Sequence, residues 1–292
     1  MITRKTFTLI FILLLCVMLL ISFIIGCNSQ TQKGLKIYID SDLEGVSGVV
    51  SFERHTYSSA LNPEQSKILL TKEINAAVEG LLEEGVSEIV LWDDHGSGGV
   101  NIDYLHPAVD VIMGEGDSFT DTIDDSFDAI VFIGKHAMSN APKGNLAHSF
   151  SSRSIENIWL NGKLVGEIAW TVLQAGHYQV PSIFLSGDDA ACEEIRDLIP
   201  NIETTAVKKG ITLNSALCLS PENARKEIKA GVKKAIRRID EFQLYSVAPP
   251  YEIVVEYKTP EIAENKAKRE GWERISDTKC TFQTDDILSI EY

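Results

Sequence analysis

The chain has 292 residues, 44% of them hydrophobic and 24% charged, a balance that suits one large α/β domain with an appendage and is ample for a buried core. It contains no low-complexity tract and no repeat of solenoid period, which excludes a disordered or repeat architecture. Its 42 acidic against 27 basic residues give a formal net charge of −15, which argues against nucleic-acid binding and supplies carboxylates for metal ligation.

The first 27 residues stand apart. Arg4 and Lys5 precede an apolar run from Phe7 to Gly26, which reads as an export signal or a membrane anchor. The run closes with Ile24-Ile25-Gly26-Cys27, which resembles the lipobox of bacterial lipoproteins and implies cleavage before Cys27 and acylation of its thiol. An uncleaved anchor is the alternative. Either way the remainder is expected outside the cytoplasm, tethered to the cell membrane, because positive charge stays inside. Residues 28–34 form a short polar tether. Cys192, Cys218 and Cys280 are scattered and odd in number, so they read as small buried hydrophobes, with one disulfide left open.

From Leu35 the pattern alternates strands and helices. Leu35–Ile39 reads as a strand, Pro63 to Gly85 as a helix, and Glu88–Trp92 as a strand. Val109 to Met113 is a short apolar run. Ala129–Ile133 is a further strand, and Asn161-Gly162 turns a hairpin between Ile155–Leu160 and Lys163–Val165. A helix is expected from Glu167, a strand over Ser182–Leu185, a helix to Leu198, and a long helix from Pro221 to about Ile239. This predicts an α/β fold over 35–245: a mixed sheet flanked by helices, with the hairpin supplying the antiparallel part. Strand-like Tyr251–Tyr257 and Thr278–Gln283 predict a smaller C-terminal α+β subdomain over 246–292.

Three of these strands end in loops rich in metal-capable side chains, where ligand sites of open α/β sheets form. The first loop carries Asp42 and Glu44, whose alternation puts two carboxylates on one side of an extended chain. They repel unless a cation or a proton intervenes. The second offers Asp93, Asp94 and His95, and the third offers His136. Together they have the donor mixture of a two-metal hydrolase. Each cluster alone reads equally well as a helix cap or a solvated loop.

The motifs Asp42 to Gly48, Asp93 to His95, Leu105 to Pro107, Gly134 to Ala137, His148-Ser149, Asn161 to Glu167, Gly187 to Asp189 and Cys218 to Pro221 occur in an order that resembles the DppA-type D-aminopeptidases. The likeness runs from about Leu35 to Ile239 and more faintly beyond. It implies two zinc ions per subunit. Asp42 would bridge them, with Glu44 and His136 completing one site and His95 and Glu167 the other. It also implies a D-alanyl peptide substrate and a ring-shaped homodecamer. By its residues alone, Glu167 reads as a favourable charge at a helix start. The resemblance makes His148 the catalytic histidine, cast as a nucleophile. Its chemistry fits a proton shuttle to the leaving amine as well, and a histidine bonded to Ser149 is the bland alternative. His55, His106 and His177 are expected to be structural. Asp188 and Asp189 read as a helix N-cap or as groups that orient a ligand. A two-metal amidase or esterase, or a lipoprotein that binds metal or peptide, remains the rival function.

Overall fold

The computed structural model describes residues 34–114 and 118–290. The apolar N-terminal segment, its lipobox and tether residues 28–33 lie outside the described residues. Within them, no helix is long and apolar enough to cross a membrane.

The main sheet has seven strands. In chain order they are β1 (Lys36–Ser41), β2 (Glu88–Asp93), β3 (Asp110–Ile112), β4 (Ala129–Lys135), β7 (Ser182–Asp188), β8 (Glu203–Thr212) and β9 (Ser215–Cys218). They lie in the order β3-β2-β1-β4-β7-β8-β9. All pairings are parallel except β8 with β9. The sheet is mixed, as expected, but for another reason: its antiparallel edge is the hairpin β8–β9, not the hairpin at 155–165.

Helices cover both faces. Helix α1 (Pro63–Glu83) starts on a proline at its first turn and stops before Gly85, whose φ of +86° glycine adopts freely. Its Leu70, Ile74, Ala77 and Leu81 pack with Ile228 and Val232 of α5 (Pro221–Ile236) onto Ile37, Ile39, Val131 and Ile133. A short α2 (Phe119–Thr122), α3 (Glu167–His177) and α4 (Asp189–Leu198) cover the other face, where Ile168, Val172 and Ile195 meet Tyr38, Phe132 and Leu185. The alternation of Ile37, Tyr38 and Ile39 thus feeds two cores, as a strand buried on both sides requires.

A second sheet joins the hairpin β5 (Ile155–Leu160) and β6 (Lys163–Val165) to β10 (Tyr251–Tyr257), β11 (Trp272–Arg274) and β12 (Lys279–Thr284), with α6 (Pro260–Lys266) packed against it. Its strands run in the order β11-β12-β10-β5-β6. The boundary expected at 246 therefore runs through the middle of a sheet: Ile253 pairs with Leu160 and Val255 with Ile158. Ala169, Trp170 and Leu173 of α3 face this sheet, while Ile168 and Val172 face the main one. A helix wedged between two cores must be apolar nearly all round, and the residues of α3 from Glu167 to Gly176 are buried. Cys192, Cys218 and Cys280 are free thiols, the first and last buried.

Candidate functional site

In the main sheet the strand order reverses direction between β1 and β4, the crevice where open parallel sheets place ligands. Asp42 and Glu44 follow β1, His95 follows β2, and His136 follows β4. Glu167, the first residue of α3, closes the group.

Backbone contacts fix the turn after β1. Asp42 N donates to Ile133 O at 2.9 Å and Gly45 N to Gly134 O at 2.6 Å. A Cβ on Gly45 would lie 2.1 Å from Lys135 O, and one on Gly134 would lie 2.1 Å from Asp42 O, so only glycine permits this approach. Two buried ionisable side chains brace the same turn. Lys208 donates to Glu44 O and, at 2.6 Å, to Val49 O. Glu73 accepts from Ser47 N at 3.0 Å, and burial pushes its carboxyl up to about 8. Neither residue announces itself in the sequence, because each adjoins another charged residue, Lys72 or Lys209, and nothing local says which of the two is buried. Lys135 does leave a signal, as a lysine one glycine beyond the apolar run Ala129–Ile133. It is fully buried, 2.9 Å from Asp40 and 2.7 Å from Asp94. Burial disfavours its charge, but the two carboxylates outweigh burial and raise its pKa.

Three histidines each spend one ring nitrogen on a backbone carbonyl. His95 Nε2 meets Thr56 O at 3.0 Å, His136 Nδ1 meets Ala137 O at 2.9 Å, and His148 Nδ1 meets Leu146 O at 2.8 Å. A carbonyl only accepts, so each of these nitrogens carries the proton and the opposite nitrogen is committed to the site. His95 Nδ1 lies 3.0 Å from Glu44 Oε2 and 3.2 Å from Asp42 Oδ1. His136 Nε2 lies 3.3 Å from Asp42 Oδ2 and contacts Glu167 Oε1. The ring of His148 stacks on that of His136, with centroids 3.9 Å apart. Burial opposes ionisation of Asp42, yet the imidazoles of His136 and His95 hold its carboxyl well below the usual range.

These residues fit a pair of metal ions. Glu44 Oε2, His136 Nε2 and Glu167 Oε1 are buried and make no well-aligned hydrogen bond, facing instead the other candidate ligands, a crowding of donors that a cation relieves. The candidate ligand atoms fall into two groups, Asp42-Glu44-His95 and His136-His148-Glu167, each within 4.8 Å. Asp42 turns one oxygen toward each group, as a bridging carboxylate would. A donor set of imidazole and carboxylate without sulfur suits zinc. The resemblance pairs Glu44 with His136 and His95 with Glu167. The shortest contacts instead join Glu44 to His95 and Glu167 to His136, and Asp42 is central to both groupings.

Other candidates take structural places. Asp93 accepts from Gly99 N and Val100 N and folds the loop that carries His95. Asp188 is the N-cap of α4: one oxygen accepts from Ala191 N, while the other accepts from Asn145 N in the loop that precedes His148. Asp189 accepts from Gly210 N. Ser149 Oγ accepts from Ser139 N, so the partner of His148 is the Leu146 carbonyl rather than a hydroxyl. His55 accepts from Val50 N and Ser51 N, and His106 accepts from Ala108 N. His177 packs edge-on against Tyr178.

A cavity of about 410 Å³ opens over the group, lined by Asp42, Glu44, His95, His148 and Glu167 together with Thr56, Tyr57, Ser151, Ser152 and Arg153. The last five are not legible as site residues in the sequence, since nothing local distinguishes them from loop.

Residues 35–291 match the M55 peptidases, described as D-aminopeptidase. A D-aminopeptidase from Bacillus subtilis (strain 168) is 30% identical over 260 residues, covering 87% of this chain and 93% of that protein. The solved structure of a Zn-dependent D-aminopeptidase, DppA from Bacillus subtilis, described as a self-compartmentalizing protease, superposes with a TM-score of 0.82 at 29% identity, with coverage of 87% and 93%. With the match spanning nearly all of the described residues, the chain belongs to the M55 D-aminopeptidase family.

Proposed function

We propose that this chain is a two-zinc D-aminopeptidase that removes the first residue of short peptides with a free amino end, such as D-alanyl peptides. The observation that carries the reading is the convergence of the ligand atoms of Asp42, Glu44, His95, His136 and Glu167 in a chain of this family. Zinc held there supplies Lewis acidity and lowers the pKa of water toward neutrality. Asp42, Glu44 and Glu167 would offset most of the charge of two zinc ions, and the neutral amino end of a peptide would be a fitting further ligand there. Burial, followed by the charge of nearby His136, lowers the pKa of His148 and keeps it neutral near pH 7. With Nδ1–H committed to Leu146 O, its Nε2 is the basic nitrogen that can take a proton and return it to the leaving amine. The measurement is hydrolysis of D- and L-alanine amides and dipeptides by the zinc-loaded protein. Turnover of D forms is expected, and turnover of L forms alone would refute the stereochemical claim.

The same reading extends to assembly and location. The hairpin β8–β9 exposes Ile211 and Leu217, at 61% and 69%, on the free edge of the main sheet. Apolar exposure at a sheet edge suits contact with a second copy, and a relative is described as self-compartmentalizing. A homo-oligomer is expected in sedimentation, and a monomer at micromolar concentration would exclude it. The lipobox-like Ile24–Cys27 supports tethering of the enzyme outside the cytoplasm. Metabolic labelling with a fatty acid, lost in Cys27→Ser, tests this, and an unlabelled wild-type chain would count against it.

A further inference from the structure

Arg153 lines the same cavity as Asp42, Glu44 and Glu167. Its guanidinium lies over the ring of Tyr57, 4.1 Å from the centroid. Tyr57 is itself fixed: its ring stacks on Phe52 at 5.2 Å, and its hydroxyl lies 3.3 Å from Ser152 Oγ. Phe52 in turn meets the ring of His148 edge-on at 5.5 Å. A row of rings therefore ties the place of Arg153 to that of the catalytic histidine. No carboxylate among the described residues forms an ion pair with Arg153, although acids outnumber bases 42 to 27 in the chain.

A guanidinium stacked on a ring keeps its N–H edge open, and that edge matches a carboxylate with two parallel hydrogen bonds. The cavity thus has the candidate metal ligands and a guanidinium in one lining. A short peptide has ends to match, an amine that the metal site would take and a carboxylate for the arginine. Two or three extended residues span roughly 7–10 Å, and a cavity of about 410 Å³ is of the size that holds such a ligand. We propose that Arg153 reads the free carboxyl end of the substrate and so selects di- and tripeptides over amidated ones. This rests on the aminopeptidase reading above and names its substrate class.

The test compares D-alanyl-D-alanine with its C-terminal amide, which differ at the group Arg153 would bind. The wild-type enzyme is expected to favour the free acid by tenfold or more in kcat/KM, the range of one charge-assisted hydrogen-bonded contact. Arg153→Ala should erase that preference through KM while leaving turnover of the amide within about twofold, and Arg153→Lys should restore part of it. Equal use of both compounds by the wild type, or an equal loss on both in Arg153→Ala, overturns the proposal. Calorimetric titration of the same two compounds measures binding without turnover. Binding of the acid that depends on Arg153, in a protein that hydrolyses neither compound, keeps the carboxylate subsite and sinks the peptidase. Binding that ignores Arg153 sinks the subsite whatever the activity.

Discussion

Replacing Asp42 with Asn is expected to empty the metal centre and abolish hydrolysis while the fold survives. Asp42 is the one side chain that meets both His95 and His136, through different oxygens. Without its charge, two dications would share only Glu44 and Glu167, and their mutual repulsion would go uncompensated in a buried pocket. Bound metal should fall from two ions per chain to fewer than one. The loss of several kcal/mol of transition-state stabilisation corresponds to a drop in kcat/KM of about a thousandfold or more. The amide preserves the shape of the carboxyl, and Asn Oδ1 can still accept from Leu43 N, which donates to Asp42 at 2.7 Å. Elemental analysis and circular dichroism on one preparation separate loss of metal from loss of fold. Two retained metal ions together with activity would remove Asp42 from the bridging position.

The second large effect belongs to His148. His148→Ala should lower kcat by about a hundredfold to ten-thousandfold, the usual range for a positioned acid-base group, with little change in KM. Metal content decides the role. The ring stacks on His136, and its ligand atom falls in the same group as those of His136 and Glu167, so geometry alone permits ligation. A shuttle leaves two ions per chain after substitution, whereas a ligand takes one away with it. Its half-buried ring, whose pKa burial lowers, also suits a nucleophile, the role the family resemblance suggests. Rapid-quench mass spectrometry should find no covalent adduct on His148 during turnover of a D-alanyl peptide, and a trapped adduct would replace the shuttle with the nucleophile.

The legible part of this molecule is the part whose signal is local. Asp42, Glu44, His95 and His136 each follow an apolar strand by one to three residues, so a short alternating or continuous apolar run and its polar terminus suffice to place them. Glu167 needs the family resemblance, because a glutamate at a helix start is favourable there with or without a metal. Strand β8 is hidden because its sequence, Glu203-Thr-Thr-Ala-Val-Lys-Lys-Gly-Ile-Thr, has no apolar alternation. Its buried positions include Lys208, whose charge is accommodated by carbonyls that belong to the turn after β1. The partner of the 155–165 hairpin is equally hidden. Periodicity reveals that a segment is a strand but not which strand it joins, and β10 arrives from the far end of the chain.

That long-range pairing has a consequence for the order in which the enzyme comes to life. Four of the five candidate ligands follow strands β1, β2 and β4, which lie in the first half of the chain. Glu167 stands two residues beyond β6, on a helix wedged between both sheets. Until β10 docks, β5 and β6 are an isolated hairpin, which is marginal in water. A chain emerging N-terminus first makes the strands that carry Asp42, Glu44, His95 and His136 well before β10, the strand that completes the sheet beside Glu167. A fragment that ends before β10 is expected to carry all five candidate ligands but to lack part of the packing that holds Glu167 in place.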